Sequence, residues 1–206
     1  MSKENNNLFE FDDAVRLSAP IFCGVDEAGR GPLAGDVFAA AVMLPSEIVI
    51  EGLNDSKKLS EKKREKLFDE IIEKATCYSI MRASIEEIES INILNAAMLA
   101  MKRAIDDLST KPQLVLVDGN KVPSGIDIPC KCVVKGDATS ASIAAASILA
   151  KVARDRYMLD IAKEYPQYCF EKHKGYGTKL HYQILDEHGV SPVHRMSFLK
   201  KYFEKK

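Results

Sequence analysis

The stretch Cys23 to Asp36, "CGVDEAGRGPLAGD", decides how the chain is read, because it sets two adjacent acids directly after an apolar run and places glycines and one arginine behind them. Ile21 to Val25 is apolar and bounded by glycine, as a buried strand would be. The stretch could cradle a phosphate, make a tight turn or begin a metal site. A phosphate loop of the Walker kind needs its lysine and serine or threonine at fixed spacing and a helix after the loop. Neither is present, and the run after Gly35, "VFAAAVML" from Val37 to Leu44, reads as a second strand. Eleven residues between the runs are enough for a turn, which predicts an antiparallel pair.

On either side of this stretch the pattern is regular. A short helix is expected near Leu8 to Leu17. Ser60 caps a helix through about Lys74, whose Leu67, Ile71 and Ile72 form an apolar stripe. "CYSIMRA", Cys77 to Ala83, suits a third strand. Asn92 to Leu108 carries Leu94, Met98, Met101 and Ile105 at helical spacing. "LVLVD", Leu114 to Asp118, is a short buried strand ending in an acid, and Cys132 to Val134 is a further one. Ser140 to Tyr165 is the longest helical pattern, and its first half of Ala, Ser and Ile would let a helix backbone lie close on a sheet. Pro166 and Gly175 mark its end and a loop, and one or two shorter helices come after. The alternation predicts an α/β fold around a mixed sheet with an antiparallel edge.

The 206 residues, 46% of them hydrophobic, suffice for one main domain. Residues 1–17 read as an N-terminal extension, partly disordered or a short helix, and residues 18–206 as a single domain. Lys and Arg number 29 against 30 Asp and Glu, so a nucleic-acid partner would need a local cationic patch. From Phe170 onward the balance is 8 Lys and Arg against 4 Asp and Glu, and all four histidines lie there. Five cysteines, an odd number, point to reduced thiols; Cys130 with Cys132, or Cys169 with His173 and His181, falls short of a zinc set. Without a signal-peptide pattern or a membrane span, the expectation is a soluble cytoplasmic protein.

Four acids stand apart from the helix faces. Asp26 and Glu27 end the first strand, Asp118 ends the fourth and Asp137 comes after the last in "VVKGDATS". Open α/β sheets commonly site their chemistry at such strand ends. Each acid alone could simply cap a turn. Together they would repel one another and raise their pKa values unless a cation neutralised them. Oxygen ligands without a matched His or Cys set suit Mg²⁺ or Mn²⁺, and a pair of such ions can drive phosphodiester hydrolysis. Neighbours on a strand point to opposite faces, so the extended geometry is expected to break at Ala28 to Gly31 for Asp26 and Glu27 to converge.

Six blocks in order, "GVDEAGRGPLAG", "LNDSKKLSEKKRE", "LVDGN", "VVKGDATSASIAAASILAKVARD", "HKGYGT" and "HRMSF", span Gly24 to Phe198 and resemble bacterial ribonuclease HII. The resemblance implies a ribonuclease H-like fold, a five-stranded mixed sheet flanked by helices, with a helical C-terminal part over residues 166–206 that grips substrate. It implies an endonuclease for the RNA strand of RNA–DNA hybrids and for single ribonucleotides in duplex DNA, cutting on the 5′ side to leave 3′-hydroxyl and 5′-phosphate. By position in the motifs, Asp26, Glu27, Asp118 and Asp137 would hold the metal ions, Mn²⁺ or Mg²⁺. Gly29, Arg30 and Gly31 would contact the ribose 2′-hydroxyl, and Tyr176 would stack on the sugar beside the scissile phosphate. Lys57, Lys58, His173 and Lys174 are candidate phosphate contacts.

Asp155, on the face of Ser147, is expected to be an ion-pair partner. Asp36 stands where the family pattern often has proline, and it is read as a turn residue. A monomer is expected, and the terminal "SFLKKYFEKK" is either a packed amphipathic helix or a peptide for a sliding clamp. Two other readings stay open from residues alone: a non-catalytic duplex-binding protein using the cationic end, and a different metal phosphatase or nuclease on the same architecture.

Overall fold

The computed structural model describes residues 3–204. The order of elements is α1 (Lys3–Arg16), β1 (Phe22–Ala28), β2 (Val37–Met43), α2 (Glu61–Lys74), β3 (Cys77–Ala83), α3 (Ile85–Asp106), β4 (Leu114–Asp118), β5 (Cys130–Val133), α4 (Ala141–Glu164), α5 (Phe170–His173), α6 (Lys179–His188) and α7 (Met196–Phe203). Three single 3₁₀ turns, Ser56–Lys58, Gly136–Ala138 and Pro166–Tyr168, join them.

The strands form one mixed sheet in the order β3-β2-β1-β4-β5. β2 pairs antiparallel with both β1 and β3, while β4 runs parallel to β1 and to β5. The expected antiparallel edge beside a parallel half is therefore present. Residues of β1 alternate as the pleat requires. Cys23 and Val25 pack toward α3 with Met101 and Ile105, whereas Phe22 and Ala28 pack toward α4.

Helix α4 lies closest to the sheet, and its first half carries no bulk that would hold it off. Ala141, Ala144, Ala145 and Ala146 are buried there, and a Cβ at Gly24 would collide with the backbone of Ser142 and Ile143. Ser140 caps α4 through the Ile143 N–H, and the buried Asp12 of α1 accepts from the hydroxyls of Ser140 and Ser142 and from the Ser142 N–H. Helix α1 is thus tied to the sheet layer rather than a loose extension; residues 1–2 lie outside the described residues.

Several boundaries differ from expectation. β1 continues through Asp26, Glu27 and Ala28, because β2 pairs with it along that whole length. Helix α3 begins at Ile85, seven residues early, behind a Ser84–Glu87 capping box. Its expected start at Asn92 survives as a kink: Asn92 has φ 67°, and its side chain accepts from the N–H groups of Leu94 and Asn95. The C-terminal part holds three helices, the first a single turn, around their own small core of Leu33, Met158, Phe170 and Leu199. Helix α7 buries Leu199 and packs Tyr202 against Tyr182, so the terminal segment is a packed amphipathic helix. All five cysteines are free thiols. Among the described residues no helix is long and apolar enough to cross a membrane.

Candidate active site

β1 and β4 stay in register from Phe22↔Leu114 to Val25↔Val117, and there the pairing stops. One residue further, where Asp26 and Asp118 face the parting, the edge of β1 on that side is open. By alternation Asp26 lies on the α4 face and Glu27 on the α3 face. The expected break in β1 thus comes at Gly29, after both acids, and they flank the strand end from opposite faces. Gly29 has φ 101°, and a Cβ there would collide with the Arg154 side chain.

Asp26 is 5% exposed, and burial pushes its carboxyl well up, helped by the negative charges of Glu27 and Asp118. The Ser147 hydroxyl and the Glu27 N–H hydrogen-bond to it and work the other way. Ser147 in turn meets the Ser56 hydroxyl at 2.9 Å, linking Asp26 through α4 to the 56–58 turn. Asp118 accepts from the Gly136 N–H at 2.6 Å, which draws the Asp137 turn against the end of β4. Burial likewise raises Asp137, as do Asp55 and Asp118, against the opposing charge of Lys57. Lys57 Nζ stands 4.0 Å from Asp137; burial pulls its pKa down, and the surrounding carboxylates of Asp137, Asp26, Asp55 and Asp118 outweigh that and raise it. Glu27 accepts from Arg30 Nη1 at 3.0 Å. Among the described residues no three His, Cys, Asp or Glu side chains close on one point as a ready ion cage.

Beside the acids runs a groove of about 440 Å³ lined by Glu27, the Ala28 to Gly31 backbone, Ser56, Lys57, Ser147, Lys151 and Tyr176. Tyr176 is 41% exposed, and a Cβ on Gly31 would lie 3.9 Å from its ring, so the glycine loop and the tyrosine adjoin along the groove. Lys151 and Arg154 sit at the ring, 5.6 and 5.8 Å from its centroid. A smaller cavity of about 180 Å³ opens on the other side of Glu27, bordered by Asp118, Asn120 and Lys121.

Two arginines hold the glycine loop in place. Arg195 is fully buried and donates to the carbonyls of Gly29 (2.8 Å), Arg30 (3.3 Å), Pro32 (2.9 Å) and Gly35 (2.8 and 2.6 Å). Arg154 donates to the carbonyls of Ala34, Asp36 and Lys174. Burial and the charge of Arg154 push Arg195 down to about 9, which leaves it a cation at neutral pH.

The remaining candidates separate. Lys57 faces the carboxylates; Lys58 borders a different hollow, with Asn7, Asn54 and Ala138. His173 is buried with both ring nitrogens engaged, Nε2 with the Tyr168 carbonyl and Nδ1 with the Gly175 N–H, so it shapes the turn instead of offering a donor to a phosphate. Lys174 Nζ donates to the Glu171 carbonyl and its own carbonyl accepts from Arg154. Asp155 is the expected ion-pair partner, to Lys151 at 2.6 Å and Arg64 at 3.8 Å. Asp36 is more than a turn residue: it is buried, pairs with Arg82 at 3.2 Å and accepts from Tyr157.

Sequence reasoning missed Ser147, Lys151, Asp55, Arg154 and Arg195. Two signals were available: a serine and a lysine four apart on the face of the buried half of α4, and arginines inside apolar motifs, where an unpaired charge would be prohibitive.

A mixed sheet whose adjoining central strands end in carboxylates, backed by a buried helix of small residues, defines the ribonuclease H-like class. Comparison with known proteins narrows it. The family model described as Ribonuclease HII matches residues 23–201. Ribonuclease HII of Caldicellulosiruptor bescii is 54% identical over 198 residues, covering 96% of each chain. The crystal structure of ribonuclease H2 from Pyrococcus horikoshii OT3 superposes with a TM-score of 0.72 at 26% identity, covering 90% of this chain and 99% of that one. Bst-RNase HIII in complex with Mn²⁺ shares the fold, with a TM-score of 0.63 at 16% identity over 82% of this chain and 63% of that one. The chain belongs to the ribonuclease HII family and is a hydrolase, an endoribonuclease acting on RNA–DNA hybrids.

Proposed function

We propose that the chain also cuts on the 5′ side of single ribonucleotides embedded in duplex DNA, by a two-metal-ion route that leaves 3′-hydroxyl and 5′-phosphate ends. The observation that carries this reading is the position of the groove: its glycine loop and Tyr176 adjoin along it, with Glu27 in the same lining.

Asp26, Glu27, Asp118 and Asp137 would hold Mg²⁺ or Mn²⁺. The donors are all hard oxygens, and the carboxyls of Asp26 and Asp137 are raised first by burial and further by neighbouring carboxylates, a repulsion that a cation relieves. Lys57 and Arg30 serve as counter-charges to Asp137 and Glu27 and are free to turn toward substrate phosphate when ions take their place. When bound, the ions supply an activated water and charge stabilisation of the leaving oxygen. Because the strands part at Asp26, groups on both faces of the sheet can reach that open edge.

Sugar reading falls to the Gly29 to Gly31 backbone. With the carbonyls of Gly29 and Arg30 committed to Arg195, the loop offers N–H groups to the ribose 2′-oxygen, which DNA lacks. Tyr176 would stack on the sugar at the RNA–DNA junction and align the scissile phosphate with the carboxylates. Lys57 and Lys151, which line the same groove, would contact substrate phosphate; Lys58, His173 and Lys174 lie outside that lining. The test compares kcat/KM on a duplex with one ribonucleotide and on a continuous hybrid. Tyr176→Ala is expected to lower the first by more than the second; equal losses on both would remove the junction role.

A further inference from the structure

We infer that His181 and His194 form a neutral hydrogen-bonded relay that positions Tyr176, so that the 191–195 segment holds both Tyr176 and the glycine loop of the groove. The inference rests on the reading of Tyr176 as a substrate contact.

The protons can be placed atom by atom. His194 Nδ1 lies 2.9 Å from the Ser191 backbone nitrogen, whose N–H can only donate, so Nδ1 accepts and the ring proton sits on Nε2. That Nε2 is 3.0 Å from His181 Nε2, which therefore accepts. The His181 proton is then on Nδ1, 3.0 Å from the Tyr176 carbonyl oxygen, which can only accept. The Ser191 hydroxyl, 2.8 Å from the same His194 Nδ1, then donates to it as well. One tautomer at each ring suits these contacts, and a second proton on either ring would set two N–H groups against each other. Both rings are almost wholly buried, and burial pushes their pKa values down to about 4, consistent with neutral imidazoles.

His173 completes the clamp. It stacks on His181 with centroids 4.2 Å apart, accepts from the Gly175 N–H through Nδ1 and takes the Tyr176 N–H on its carbonyl at 2.8 Å. A tyrosine between two glycines would otherwise be loosely held. Its backbone is fixed on both sides here while its ring stays open to the groove. Arg195, next to His194 in sequence, grips the adjoining loop at Gly29 to Gly35. The spacing between the sugar-reading loop and Tyr176 is thereby set by one short segment.

Two substitutions separate hydrogen bonding from packing. His181→Phe keeps the ring and its stacking but removes both nitrogens, whereas His181→Asn leaves a gap but returns an N–H at the Nδ1 position. The relay predicts a drop of about 10- to 100-fold in kcat/KM on the single-ribonucleotide duplex for His181→Phe. It predicts a smaller drop for His181→Asn, both measured below each variant's melting range. If His181→Phe is the more active of the two, the role is packing and the relay is overturned. Tyr176→Ala runs in parallel: if it is impaired and His181→Phe is not, the relay alone fails; if it is itself unimpaired, the reading of Tyr176 fails and takes this inference with it. Long-range ¹H–¹⁵N spectra of the histidine rings at pH 7 should give a neutral Nδ1–H tautomer for His181 and a neutral Nε2–H tautomer for His194. The opposite tautomers, or a charged ring, would overturn the relay directly.

Discussion

Replacing Arg195 by methionine removes the group that shapes the glycine loop while keeping a side chain of similar reach. Arg195 makes four contacts of 2.9 Å or less and one of 3.3 Å with loop carbonyls. Hydrogen bonds to a charged group contribute about 1.5–3 kcal/mol each, but these share one guanidinium and do not add. Methionine would leave the carbonyls of Gly29, Pro32 and Gly35 buried without a donor until the loop relaxes toward water. Breaking a buried charged network typically costs about 3–5 kcal/mol. Against a total stability of roughly 5–15 kcal/mol, the variant should fold but with a clearly lower urea midpoint. Displacing the loop by about 1 Å should cost activity about 100-fold. Arg195→Lys, without the fork, should recover little of either. Stability within about 1 kcal/mol of the parent together with unchanged kcat/KM would refute the idea that this arginine sets the loop.

Asp26→Asn should abolish cleavage yet stabilise the metal-free protein at pH 7 by roughly 0.5–2 kcal/mol. The folded carboxyl binds its proton to higher pH than the unfolded one, so the parent loses stability as pH rises from near 3.8 through its raised value, and the variant, which keeps the other raised carboxyls such as Asp137, loses less. Melting curves from pH 4 to pH 8, with and without Mg²⁺, check this: Mg²⁺ should raise the parent's melting temperature at pH 7 and leave the variant unmoved. Gly29→Ala must adopt positive φ and push Arg154 aside; loss of activity of about 100-fold with a melting temperature only a few degrees lower is expected, and full activity would contradict the close approach.

The sheet was largely legible because its strands are short apolar runs between clear breakers, and the density of alanine in α4 announced its close packing on Gly24. The end of β1 was misjudged for a physical reason: Asp26 and Glu27 are poor strand residues on propensity, and only pairing with Ala39 and Ala40 keeps them extended. Asn92 looked like a helix start because it is one, capping the second half of a kinked α3. The carboxylates could be picked out by their place after apolar runs. The side chains that arrange them left only indirect signals, since the bonds of Arg195 to Gly29 and of Ser147 to Ser56 span distant parts of the chain. His173 looked like a phosphate ligand by its neighbours in sequence, and its burial against His181 was invisible to local pattern.

If carboxylates at the parted strand ends cut next to a ribose read by the adjoining loop, the position of the cut must track the ribonucleotide. Matched DNA duplexes with no, one or four ribonucleotides, incubated with Mg²⁺ or Mn²⁺ and mapped for the cut position, decide this, with Asp118→Asn alongside. Cleavage of the second and third substrates is expected on the 5′ side of a ribonucleotide, with no cleavage of the first and loss of all product in the folded Asp118→Asn protein. Cutting of the all-DNA duplex, or near-normal turnover by Asp118→Asn, would contradict the coupling of chemistry to the sugar.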